Sequence, residues 1–275
     1  MKRSRPSTAP FSAPWLRTAA MALGRSRVIG IYSYPKSGNT WLRSIIGAQM
    51  QTGLKGVPDT HRESFSDAER LRGAYFYKYH GRDLRPFHHM PIRTSHVIHI
   101  RRNPLDVFLS YLNYLSDKVT GNAPVRFPSV EAIAGTPLFD AYFSTFVITG
   151  HLTRLVAVTG DYFDHNATWL ARSQSDSQIC CLRYEDMLQD PVATLSFLQD
   201  WIGVDEASLA SMVQAAEHTT RKDNRFFWRK QERNFLNFLS PGQIAFFLEY
   251  RGAQAEQLGY DASYFSALPM QEAKP

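Results

Sequence analysis

The stretch of this chain best suited to chemistry is the eight-residue run at 34–41, YPKSGNTW. It follows an apolar, β-rich run and opens a helical pattern, so backbone N–H groups and the helix dipole would converge on one point. An oxyanion such as phosphate or sulfate would be held there. Gly38 lets the backbone approach closely, Ser37, Asn39 and Thr40 add side-chain donors, and Lys36 places a full positive charge inside the loop. The competing reading is an ordinary strand-to-helix turn. The common nucleotide-binding loop does not fit, because it ends in Gly-Lys-Ser/Thr, whereas here the lysine precedes the only glycine.

Three strand-then-helix units supply the frame. VIGIYSY precedes the loop, and TWLRSIIGAQM follows it with Trp41, Leu42, Ile45, Ile46 and Gln49 at helical spacing. HVIHI is a second strand, after which Asn103-Pro104 offers a cap and a first helical residue for LDVFLSYLNYL. ICCLRY is a third, read as buried, with Glu185-Asp186 at a helix start. Beyond it, Pro191 heads an amphipathic stretch of Leu195, Leu198, Trp201 and Ile202. Strands alternating with helices predict an α/β fold, a single domain with a central parallel sheet flanked by helices and a P-loop-like strand-loop-helix anion site. Residues 51–75 and 117–138 read as long loops or short helices, the usual carriers of substrate sites. Ser240-Pro241 to Leu258, closed by Gly259, reads as a docking helix. The domain is placed at 28–265, followed by a tail at 266–275.

YPKSGNTW resembles the 5′-phosphosulfate-binding loop of the sulfotransferase family, whose usual form is YPKSGTTW. Asn39 stands where the family has threonine, a change expected only to tune the loop because both side chains can donate to an anionic oxygen. RNPLDVFLSY at 102–111 resembles the family's 3′-phosphate signature, which implies Arg102 and Ser110 as ligands. The guanidinium fork suits a phosphate, and the Arg-Asn-Pro register selects Arg102 over Arg101. YKYHG is similar to the family's Lys-Thr-His strand, which implies Lys78 and His80 beside the transferring group. These two share one face of a strand, and His80 precedes Arg102 by 22 residues, a spacing typical of the family. His88 and His89, in RPFHHMP, are rival bases that read as loop residues. Among nine histidines, most would serve structure.

Further likenesses extend the match over about residues 28–250. GDYFDHNATW at 160–169 resembles a family segment ahead of a strand. RYEDM implies Tyr184 as an adenine-side contact, and EHTT implies Thr219 near the nucleotide. Trp41 would stack on adenine, with a core role at the helix start as its close competitor. FFWRKQ resembles the Arg-Lys-Gly closure of the 3′-phosphate site, implying Arg229 and Lys230, but Gln231 replaces the glycine. That departure predicts a different local turn or the loss of one N–H contact. The dimer motif of cytosolic members is not visible in NFLNFLSPGQ, so dimerisation is not implied.

The resemblance implies a PAPS-dependent sulfotransferase, moving a sulfuryl group from 3′-phosphoadenosine 5′-phosphosulfate (PAPS) to a hydroxyl or amine. The acceptor would be a small molecule or lipid, more plausibly apolar or aromatic. His80 would be the general base, Lys36 would stabilise charge on the leaving phosphate's bridging oxygen, and Lys78 would stabilise the sulfuryl oxygens. No metal is needed for such a transfer, and the sequence shows no metal-ligand cluster. Two other readings stay open: a nucleotide-dependent kinase on the same cradle, and a non-catalytic adenine-nucleotide-binding module.

Composition narrows the setting. The 275 residues are 44% hydrophobic and 20% charged, enough for a large core. The net charge of +6 first suggests nucleic acid, but residues 1–27 alone hold six basic groups and no acid. The body is therefore formally neutral and nucleic acid is not expected as a partner. The basic start reads as a disordered arm, an organelle transit peptide or a membrane-surface contact. Two adjacent cysteines, Cys180 and Cys181, build neither a disulfide framework nor a zinc site and suggest a reducing compartment. With no run long enough to span a bilayer, a cytoplasmic protein is expected, and the Asn166 sequon reads as a chance match.

Overall fold

The computed structural model describes residues 26–84, 93–220 and 229–266. His88, His89, nearly all of the basic arm and all of the tail but Ser266 lie outside the described residues. In chain order the main elements are β1 (Arg27–Ser33), α1 (Asn39–Gly47), β2 (Arg70–Leu71), β3 (Ala74–Tyr79), β4 (His96–Arg101) and α2 (Pro104–Leu115). They continue with α3 (Pro137–Thr149), α4 (Tyr162–Ser175), β5 (Ile179–Arg183), α5 (Tyr184–Gln189), α6 (Glu206–Thr220) and α7 (Pro241–Gln257). Among the described residues no helix is long and apolar enough to cross a membrane.

The five strands run in the order β2-β3-β1-β4-β5, parallel except for the short β2 against β3. Alternation along β1 explains why both faces are covered. Ile29 and Ile31 pack with Leu42, Ile45 and Ile46 of α1, while Val28 and Tyr32 pack with Tyr77 and Trp169 on the opposite face. A phenylalanine-rich cluster from α2, α3 and α7, including Phe108, Phe143, Phe146 and Phe247, forms a further core. β1 has β3 on one side and β4 on the other, both later in the chain, so the topology switches direction at its carboxyl end. Open parallel sheets place their ligand crevice at such a point.

The end signals expected from sequence hold. Asn103 accepts the Asp106 N–H at 2.9 Å with Pro104 in the first helical turn, and Ser240 with Gln243 forms a reciprocal capping box ahead of α7. Other expectations are corrected. The 191–202 stretch is two short helices, Pro191–Thr194 and Leu198–Ile202, because Leu195 leaves helical geometry between them, although Leu195, Leu198 and Ile202 are all buried. Gln49 falls beyond α1 and is exposed. The cysteine strand is not wholly buried: β5 is the sheet edge, leaving Cys180 and Cys181 half-buried. Asn166 is fully buried in α4, its amide donating to the Tyr162 carbonyl at 2.7 Å, which no glycan could reach.

One buried carboxylate ties the start of α2 to the C-terminal segment. Glu185, at the start of α5, accepts from the Asn103 backbone at 2.9 Å and side chain at 3.2 Å, and from the Tyr260 hydroxyl at 2.9 Å. Arg101 adds a bond from its Nε to the Leu258 carbonyl at 3.1 Å, which gives the neighbour of Arg102 a structural task. Glu185→Ala should strand these buried donors and lower stability by about 3 kcal/mol, read as a fall in the urea midpoint. An unchanged midpoint would remove Glu185 from this role.

Candidate active site

A cavity of about 620 Å³ opens at the carboxyl ends of β1, β3 and β4. Its floor is the loop between β1 and α1. Lys36 and Gly38 both adopt left-handed backbone, at φ 74° and 106°. For lysine that conformation costs roughly 1 kcal/mol, a strain typical of functional loops. Gly38 is required twice over, since a Cβ there would come within 2.3 Å of the Tyr184 ring. The first amides of α1 have no partner within the helix, so the loop presents donors to the cavity. Ser37 Oγ is buried without a partner. Asn39 differs from expectation: its amide donates back to the Ile31 carbonyl and Ser33 hydroxyl, both at 3.2 Å, bracing the loop on β1. Thr40 lines the cavity.

The cations lining the cavity include Lys36, Lys78, Arg102 and Lys230. Lys36 sits over the Tyr114 ring at 4.9 Å, and its charged neighbours are Arg102 and Lys78. Burial, reinforced by those two cations, pushes its ammonium down to about 8. Lys78 instead pairs with Asp59 at 2.6 Å. Arg102 is almost wholly buried, stacks on Tyr184 at 4.4 Å, lies 3.6 Å from Asp106 and donates to the Gln231 carbonyl at 3.1 Å. Its Nε is buried without a partner. Lys230 pairs with Glu217 and covers the Trp41 ring at 3.5 Å.

His80, one residue past β3, is buried and lines the same cavity. Its Nδ1 lies 2.7 Å from the Ser33 carbonyl, so Nδ1 carries the proton and Nε2 keeps a free lone pair. Burial, with Lys78 beside it, lowers its pKa well below the usual histidine value, so the ring is neutral near pH 7. The other histidines expected to be structural include His99 and His165, both fully buried.

Ser110 of α2 and Tyr184 of α5 also line the cavity, together with Trp41, which is simultaneously a core residue packed edge-on against Tyr184. Thr219 lies on α6, but its side chain falls outside the described residues. Arg229 does not line the cavity: it reaches Glu131 at 3.4 Å and Phe238 instead. The glycine replaced by Gln231 is not missed for backbone freedom, since the left-handed residues of this segment are Arg229 and Arg233. Sequence reasoning missed Asp59, His61 and Arg43, which line the cavity. Nothing in the run PDTH marks Asp59 or His61, because a contact across a sheet edge leaves no local pattern, and Arg43 reads only as one residue of the α1 helix.

Among the described residues no group of three or more histidine, cysteine or acidic side chains is gathered to hold a metal. The sulfotransferase domain model matches residues 27–243, well over half of the chain, and the chain belongs to the sulfotransferase family. Human sulfotransferase 2B1 is 26% identical over 211 residues, covering 71% of this chain and 52% of its own length. Cytosolic sulfotransferase 6 of Arabidopsis thaliana is 23% identical over 257 residues, covering 77% and 73%. The chain thus spans about half of the human relative. A mouse sulfotransferase complexed with PAP superposes with a TM-score of 0.58 at 18% identity, over 88% of this chain and 91% of that one. A retinol dehydratase complexed with androsterone and PAP gives 0.54 at 13% identity, over 93% and 88%. These two share the fold.

The lowered Lys36 has a measurable consequence. Anion binding needs its protonated form, so thermal stabilisation by inorganic sulfate should decline as pH rises through about 8. Lys36→Arg, which keeps its proton, should hold that stabilisation at higher pH. An unaltered pH dependence in the arginine variant would assign the effect elsewhere.

Proposed function

We propose that the chain transfers a sulfuryl group from PAPS to a hydroxyl, or amine, of a small apolar or aromatic acceptor. The observation that carries this reading is the convergence of Lys36, Lys78, Arg102 and a neutral, tautomer-fixed His80 on one cavity at the switch point of the sheet. Two donors buried without partners on residues that line the cavity, Trp41 Nε1 and Arg102 Nε, fit a ligand rich in oxyanion oxygens, whereas Ser37, fully buried, does not line it. PAPS supplies an activated sulfuryl group on an adenosine carrier.

The residues divide the cavity. The loop at 36–40 would hold the 5′-phosphosulfate, Arg102 with Ser110 and Lys230 the 3′-phosphate, and Trp41 with Tyr184 the adenine. Arg229 would have to turn from Glu131 to join them. Leu54, Tyr111, Tyr114, Leu115 and Leu155 give the cavity an apolar and aromatic share of its lining, which suits the proposed acceptor. Its oxygen would attack sulfur as the bond from sulfur to the phosphate oxygen breaks, and its proton would pass to His80 Nε2. The products would be the sulfated acceptor and PAP. Lys36 would stabilise the leaving phosphate oxygen and Lys78 the sulfuryl oxygens, in a cleft where low dielectric strengthens both effects.

His80→Ala should leave PAP affinity in calorimetry nearly intact and slow turnover of labelled PAPS by about 10²–10⁴. Near-normal turnover would end the base assignment. If labelled ATP with magnesium is turned over in place of PAPS, the kinase reading replaces this one, and binding of PAP without turnover of either favours the non-catalytic module. Arg102→Ala should weaken PAP by about 2–3 kcal/mol while changing AMP, which lacks the 3′-phosphate, far less. Equal losses for both nucleotides would displace Arg102 from the 3′-phosphate.

A further inference from the structure

The segment leading from Pro58 to His61 runs along the outer edge of β3 beyond the short β2. Asp59 bridges to Lys78 in parallel, with the Lys78 N–H donating to the Pro58 carbonyl at 2.8 Å and the Thr60 N–H donating to the Lys78 carbonyl at 3.1 Å. The Thr60 hydroxyl adds a second bond to that carbonyl at 2.9 Å. This backbone pairing brings the Asp59 carboxylate to the Lys78 ammonium at 2.6 Å, both side chains being only about one-seventh exposed, at 13% and 14%. The same segment carries His61, which stacks on the His80 ring at 5.7 Å and accepts the His80 backbone N–H at 3.2 Å.

We propose that Asp59 is a positioning residue: pinned to β3 by its own backbone, its carboxylate holds the Lys78 ammonium beside His80 in the geometry that sulfuryl transfer requires. The proposal rests on the sulfotransferase reading of Lys78. The alternative arrangement for that lysine is unfavourable, because its other charged neighbours include Arg43, Arg62 and Lys36, all cationic. A flexible four-carbon stem without a counter-charge would swing its ammonium away from them. Lys36 shows what burial among cations does to an amine that lacks such a carboxylate neighbour, whereas for Lys78 the Asp59 charge and hydrogen bond oppose burial. Burial would raise Asp59 itself, yet the Lys78 charge and hydrogen bond override it and hold the carboxyl below its usual range.

Asp59→Asn is a mild probe. Asparagine keeps the Oδ1 acceptor for the His61 backbone N–H, bonded at 3.2 Å, and leaves the backbone bridge untouched. Single-turnover assays with excess enzyme and labelled PAPS should show roughly a tenfold slower transfer, with PAP affinity changed less than about threefold. In a Lys78→Met background the same substitution should change the rate less than about twofold, since the group it positions is gone. Asp59→Glu should recover most of the loss. Equal losses in both backgrounds, or no loss in either, overturn the proposal. A wild-type rate for Lys78→Met alone overturns the catalytic reading of Lys78 and the proposal with it, and so separates the two failures. Should the asparagine variant not fold, the glutamate variant is carried through the same cycle, where a loss independent of Lys78 again overturns it.

Discussion

Like charges gathered in a dry cleft repel one another and lose hydration, and the architecture around this cavity follows from managing both costs. Lys78 has Asp59, Arg102 has Asp106 and Lys230 has Glu217. Each carboxylate comes from an element different from, or a helical turn beyond, the cation it meets. Lys36 differs from these three: the charged neighbours acting on it, Arg102 and Lys78, are themselves cationic, and it perches over Tyr114. A body with equal numbers of basic and acidic groups thereby gathers several cations around this cavity.

The second dependence is on the carboxyl end of β1. Because β3 and β4 flank β1 from opposite sides, the loop after β1 lies where the side chains following both neighbours can reach it. Ser33 at that strand end accepts from His80, Asn39 ties the loop back to Ile31 and Ser33, and Gly38 admits the Tyr184 ring. The groups lining the cavity are therefore positioned by one another as much as by the sheet. Glu185 then locks this cluster to the C-terminal segment through Asn103 and Tyr260.

Much of this was legible in order along the chain. Strand-loop-helix units, the Asn103-Pro104 and Ser240-Pro241 helix starts and the α/β class follow from alternation and capping, which are local effects. That the loop after β1, Arg102 and His80 line one cavity follows the motif spacing kept in the sequence, while the roles given to them are proposals. The reading went astray where local signals meet tertiary demands. β5 looked buried from its apolar run yet forms the sheet edge. Asn39 looked like an anion donor yet spends both bonds on bracing β1, and Arg229 matched a motif yet turns to Glu131.

What the sequence determined by itself was the chemical inventory and the order of elements, since periodicity, caps and short motifs depend only on neighbours along the chain. Tertiary structure decided which groups far apart along the chain meet. Asp59 and Lys78 are 19 residues apart and Asn103 and Glu185 are 82 apart, and no local pattern encodes either pair. Strand order and the crossing of loops over the sheet edge bring them into contact. There, burial lowers the basicity of both Lys36 and Lys78, with Asp59 opposing it at Lys78 alone, and keeps the His80 imidazole neutral near pH 7.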